Sequence, residues 1–153
     1  MKLDKFSQDD FIKASNRLVR SLTRGKTTSS QPKVILLGGQ SGAGKTTIHR
    51  IKQREFQGNI IIIDGDSYRS FHPNYLALQE KYGKDSVDYT KVFAGQIVEY
   101  LVDELSKQGY HLLIEGTLRT TEVPRKTAQL LTTRGYQVSL APVSYTHLRA
   151  HET

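Results

Sequence analysis

The stretch Val34-Ile35-Leu36-Leu37-Gly38-Gly39-Gln40-Ser41-Gly42-Ala43-Gly44-Lys45-Thr46-Thr47 decides the fold. Lys33 to Leu37 reads as a short apolar strand, broken by Gly38 and Gly39. Gly39 to Thr46 then matches the phosphate-loop pattern G-x-x-x-x-G-K-[ST]. Glycines let a backbone wrap closely round a phosphate and turn its N–H groups inward. A helix predicted from about Gly44 to Phe56 would present its positive end to the same phosphate. Lys45 is then placed for the outer phosphates and the Thr46 hydroxyl for Mg²⁺. The bland alternative is an accidental glycine-rich turn, and the flanking strand and helix argue against it.

Outward from that loop, strands alternate with helices. Before it, Ser7 to Leu22 reads as an amphipathic helix with Phe11, Ser15, Leu18 and Leu22 on one stripe. Ser7 and Asp10 have capping-box spacing, and Gly25 ends the helix. Thr27 to Pro32 is a polar connector. After the loop helix, Asn59 to Ile63 reads as a strand buried on both faces. A turn at Phe71-His72-Pro73-Asn74 precedes a short helix over Tyr75–Tyr82. Thr90 to Lys107 is a long helix whose stripe is Phe93, Ile97, Tyr100, Leu101 and Leu105. His111 to Ile114 is a third strand and Tyr136 to Leu140 a fourth. The helix between them has Pro124 at its first position and ends at Gly135. The expected class is α/β: a P-loop kinase-like, mainly parallel sheet with helices on both faces.

Composition narrows the chemistry. The 153 residues contain no cysteine, which excludes disulfides, thiol nucleophiles and thiolate metal sites. A mean hydropathy of −0.49 and the lack of a long apolar run argue against a membrane partner. No signal-peptide pattern opens the sequence, so the expected location is the cytoplasm. The net charge is +7, yet residues 1–54 hold 12 Lys and Arg against three Asp. Such a basic third fits an anionic partner or, more blandly, a solvated helix face. No concentrated Lys/Arg run is interleaved with aromatics, so no nucleic-acid partner is expected.

Ligands in open α/β sheets bind at the carboxyl ends of the strands. Two predicted strands run into acids there, Ile63-Asp64-Gly65-Asp66 and Ile114-Glu115-Gly116-Thr117. An acid so placed can hold Mg²⁺ or take a proton from an attacking hydroxyl; capping and loop solvation are the structural alternatives. Arg119 follows Glu115 by four residues and is a candidate for an anionic group, or an ordinary surface arginine.

The loop and its helix resemble the zeta toxin family, its PezT-type members in particular. So do Ile63-Asp64-Gly65-Asp66-Ser67 with His72-Pro73, and Ile114-Glu115-Gly116-Thr117-Leu118-Arg119-Thr120 with Val123-Pro124 and Thr127-Ala128. The resemblance implies the toxin of a toxin–antitoxin pair, with a cognate antitoxin as protein partner. It implies a kinase that uses ATP or GTP and Mg²⁺ to phosphorylate the sugar 3′-hydroxyl of UDP-N-acetylglucosamine. On that analogy Gly39, Gln40, Ser41, Gly42, Ala43, Gly44, Lys45, Thr46 and Thr47 bind the nucleotide. Lys45 holds the transferred phosphate, Thr46 helps hold Mg²⁺ and Asp66 is the base. Glu115, Thr117, Arg119, Thr127 and Glu99 line the sugar-nucleotide site. Another P-loop small-molecule or polynucleotide kinase is the alternative, as is a nucleotide-binding fragment without activity.

The resemblance also divides the chain. Residues 1–32 form an amino-terminal helix and connector, 33–141 the incomplete kinase core, and 142–153 a tail unlike the family. The tail resembles a translated sequencing adapter, so the native sequence is expected to stop near Ala141. The family continues beyond this point and supplies two arginines that neutralise the transferring phosphate. Arg125, Arg134 and Arg149 match neither, and the chain as it stands is expected to be catalytically silent.

Overall fold

A computed structural model describes residues 2–38, 43–115 and 122–142. The elements alternate along the chain. They are α1 (Gln8–Thr23), β1 (Lys33–Gly38), α2 (Ala43–Glu55), β2 (Ile61–Asp64), α3 (Tyr75–Tyr82), α4 (Val87–Gln108), β3 (Leu112–Glu115), α5 (Glu122–Thr133) and β4 (Gln137–Pro142). Two 3-10 helices, Gly65–Phe71 and Gly83–Ser86, escaped the sequence reading. Among the described residues the strands form one sheet in the order β2-β3-β1-β4, and every pairing is parallel. The expected α/β class holds.

The period-2 alternation of β1 divides the core in two. Val34 and Leu36 point to one face, where they meet Leu18 of α1, Leu131 of α5 and the buried side of α4, centred on Phe93 and Leu101. Ile35 and Leu37 point to the other face, against Ile48 of α2. Helices thus cover both faces, as parallel strands require. Ser7 caps α1 and the reciprocal bond to Asp10 completes the capping box.

Three local expectations need correction. β2 is an edge strand, so Ile60, Ile61 and Ile63 are buried but Ile62 is only half-covered. Helix α4 begins at Val87 rather than Thr90, because Thr90 is buried and its hydroxyl bonds back to the Ser86 carbonyl. Helix α5 begins at Glu122, which places Pro124 third in the helix; its missing N–H still falls in the first turn, where no intrahelical acceptor exists.

Arg134 has a structural task. It donates to the Asp103 carbonyl, the Asp103 carboxylate and the Ser106 hydroxyl, clasping the end of α5 to α4. Its guanidinium, with Lys107 beside it, holds the Asp103 carboxyl below the usual carboxylate range.

Candidate functional site

The site grows from three strand ends lying side by side. Register pairs Leu37 of β1 with Glu115 of β3, and Glu115 with Asp64 of β2. The row Asp64, Glu115, Leu37 therefore marks one carboxyl edge of the sheet. Beta strand β1 leaves this edge toward residues 39–42, and α2 starts at Ala43. Residues 39–42 lie outside the described structure, as do Thr117 and Arg119. Ala43, Gly44 and Lys45 form the opening of α2, and Thr46 is exposed in its first turn, with Thr47 half-buried behind it.

Glu115 is the most enclosed acid of the site, 2 % exposed. Strand alternation turns it to the α2 side of the sheet, the side that carries Leu113. There it meets His49, Nε2 to Oε2 at 2.5 Å. Burial pushes the Glu115 carboxyl up; the bond to His49 draws it back down, and the neighbouring Asp64 raises it again. Asp64 is committed to shaping the backbone. Its carboxylate accepts from the Asp66 N–H at 3.1 Å and from the Ser67 hydroxyl at 2.9 Å, which starts the 3-10 helix Gly65–Phe71.

That 3-10 helix presents Asp66, which is exposed. It also packs closely on α4: a Cβ on Gly65 would stand 3.2 Å from Val98 Cγ2, so a larger residue there would have to displace that side chain by a few tenths of an ångström. Val98 lies in the seam between that 3-10 helix and α4, and Glu99, the next residue of α4, is exposed. At the far end of the seam Arg69 reaches Thr90 Oγ1 at 3.5 Å. Thr127 is half-buried on α5, the helix that follows residues 116–121.

Sequence reading missed two neighbours of the acids. His49 lies three residues after Thr46, hence on the same helical face; that spacing was the available signal. Tyr68 is buried below the acids. Its hydroxyl is pushed up to about 12, mainly by burial, with the charges of Asp64 and Glu115 adding to the effect.

The donor set suits a nucleotide and its metal better than a free metal ion. Among the described residues no group of three or more His, Asp or Glu could cage a metal. Mg²⁺ is commonly held by one or two protein oxygens together with phosphate oxygens and water. A helix start, a threonine in its first turn and strand-end acids beside it fit that demand. Among the described residues, no helix is long and apolar enough to cross a membrane.

Comparison with known proteins matches residues 18–153 to the sequence model of the family described as Zeta toxin. The chain is 65 % identical over 144 residues to Toxin PezT of Streptococcus pneumoniae serotype 4, covering 94 % of this chain and 57 % of that protein. It is 39 % identical over 135 residues to Toxin zeta of Streptococcus pyogenes, covering 88 % of this chain and 47 % of the relative. A solved structure from a study of the PezAT chromosomal toxin–antitoxin system of Streptococcus pneumoniae superposes with a TM-score of 0.89 at 67 % identity, over 93 % of this chain and 57 % of that one. The chain therefore spans about half the length of the relatives it matches.

Proposed function

Because this chain belongs to the zeta toxin family, we propose that it is the nucleotide-binding part of a toxin kinase that phosphorylates the sugar 3′-hydroxyl of UDP-N-acetylglucosamine. The observation that carries the reading is the alignment of Asp64 and Glu115 beside the strand end that runs into Gly39–Thr46. One edge of the sheet thus offers a phosphate-binding sequence and acids for an acceptor hydroxyl.

In this reading residues 39–47 hold ATP or GTP, and Lys45 steadies the outer phosphate. Thr46 would hold Mg²⁺, which neutralises phosphate charge when bound. Asp66, exposed and one residue from the Gly65–Val98 contact, accepts the proton of the attacking hydroxyl. Glu99, Glu115, Thr117, Arg119 and Thr127 orient the sugar nucleotide. The partner is a cognate antitoxin, a reading supported by the toxin–antitoxin system to which the solved neighbour belongs. The setting is the cytoplasm, where nucleotide and sugar nucleotide meet.

The test is incubation with Mg·ATP or Mg·GTP and UDP-N-acetylglucosamine, followed by mass spectrometry of the sugar nucleotide. It is run on this chain and on a chimera extended with the downstream part of PezT. The chimera is expected to add one phosphate to the sugar nucleotide. No phosphorylated sugar nucleotide from the chimera would overturn the proposal.

A further inference from the structure

We propose that the outer face of α1 and the cavity at its end form a docking surface for an acidic helix of a partner protein. Lys13, Arg17, Arg20 and Arg24 are all exposed. Their spacing of four, three and four residues sets them in one line along α1, opposite the side on which Ser15 and Leu18 are buried. At 1.5 Å per residue that line is about 16 Å long. None of the four meets a carboxylate: the ion pairs among the described residues lie elsewhere. The acids of α1, Asp9 and Asp10, stand in its first turn, where Asp10 is bound to Ser7.

Helix polarity favours cations in a last turn, which accounts for Arg20 and Arg24 but not for Lys13 and Arg17, which lie beyond its reach. The line also leads somewhere. Arg24 rims a cavity of about 360 Å³, with Lys26 beside it and Leu22, Ile60 and Ile62 as apolar lining; no acid lines it. The rim is braced from the connector that follows α1. Lys26 Nζ donates to the Gly58 carbonyl, the Thr27 N–H to Asn59 Oδ1, and Asn59 Nδ2 to Thr27 Oγ1. The cavity opens at the start of β2, the end opposite Asp64.

Charge and spacing select the occupant. Cations at helical spacing are matched by carboxylates at the same spacing on a second helix laid alongside. A large aliphatic side chain just beyond the last carboxylate can then enter the cavity next to Arg24, as an apolar anchor inside a polar rim. A membrane surface fits less well, because the apolar stripe of α1 is buried in the core and cannot enter a bilayer. A single-stranded nucleic acid also fits less well, because no aromatic side chain stands in the line to stack on a base.

The experiment is fluorescence anisotropy of this chain with a labelled, stapled helical peptide. The peptide carries four Glu spaced four, three and four apart, with Leu one turn beyond each end. That spacing reads the same in both directions, so one peptide tests both orientations. Binding should saturate and weaken with salt. A peptide of the same composition with its Glu residues distributed round the helix should bind about tenfold more weakly. The double variant Arg17→Glu, Arg20→Glu should bind the Glu peptide about tenfold more weakly and take up a peptide with Lys in place of Glu, a gain that an unfolded variant could not show. Ser21→Trp, made at an exposed position on the cavity wall, should weaken the Glu peptide by about tenfold by keeping its Leu out. No binding of the Glu peptide, equal binding of the redistributed peptide, or unchanged affinity in either variant overturns the proposal. So does tighter binding of a single-stranded RNA or of anionic vesicles than of the peptide. Competition by Mg·ATP also overturns it, since the peptide would then lie at the nucleotide edge.

Discussion

Asp66 illustrates how little of a residue's role is set by its own side chain. It is exposed, and its backbone N–H is already bound by Asp64, so the carboxylate is fixed at its root and free at its tip. That suits a group that must reach an incoming hydroxyl. Asp66→Asn preserves the shape but cannot accept the proton. In the chimera with the PezT downstream segment, sugar-nucleotide phosphorylation should fall by about 10² to 10⁴ with nucleotide affinity little changed. Near-normal turnover would make Asp66 structural. His111 behaves differently. Burial, and then the charge of Lys33, hold its imidazole below the usual histidine range. Its Nδ1 accepts from the Lys33 N–H, a bond that only the unprotonated nitrogen makes, and its ring lies against Phe56. Because the folded pKa is depressed, folding favours the neutral form. That contribution is complete above about pH 6.5, the unfolded value, and is lost as pH falls through the folded value. His111→Gln should therefore flatten the decline in stability between neutral and mildly acid pH, as read from denaturation midpoints.

At the scale of elements, helix ends decide how the sheet is assembled. Helix α4 ends at Gly109, in the left-handed region at φ +89°, with its N–H on the Leu105 carbonyl. The chain before β1 passes directly over it. The Ser29 N–H bonds to the Gly109 carbonyl at 2.9 Å, and a Cβ on Gly109 would stand 2.9 Å from the Ser29 carbonyl oxygen. Gly25 also has a positive φ, +73°, but nothing lies within 4 Å of its Cβ position. Gly25→Ala should thus cost only the left-handed strain, about 1–2 kcal/mol. Gly109→Ala adds a backbone collision and should cost measurably more. Urea denaturation of the two variants, side by side, checks this; equal losses would mean that the connector moves aside freely. Sequence reading identified Gly25 as a helix-ending residue, and Gly109 stands in the same local setting at the end of α4. It could not distinguish them, since the difference is a contact between segments about eighty residues apart in the chain.

For the whole molecule, binding at one sheet edge should be felt throughout. Every pairing runs through the central strands β1 and β3, and α2 packs on both through Ile48. A nucleotide that binds only the folded chain stabilises it by mass action, about 2.7 kcal/mol at a hundred times its dissociation constant. For a domain of this size that corresponds to a rise in melting temperature of roughly 5–10 °C. Saturating Mg·ATP should produce such a rise in the wild type and little or none in Lys45→Ala. Equal shifts in both would place the nucleotide away from the loop.

Much of this architecture was legible because it is written locally. An apolar run followed by glycines and Lys45-Thr46, a capping box at Ser7 and Asp10, and a stripe centred on Phe93 each depend on neighbours a few residues away. Periodicity and turn chemistry act over that range, so the alternation of strands and helices, and with it the α/β class, follows from the residues alone. The 3-10 helix at Gly65–Phe71 was not legible, because Asp64 could cap or coordinate until its bonds to Asp66 and Ser67 were seen. Only the tertiary structure decided the strand order that seats Glu115 between Asp64 and β1, and the bond that His49 makes to it. Those facts depend on which helix face meets which strand end. That choice is made by burying the isoleucines and leucines of two sheet faces at once, and no local pattern encodes it.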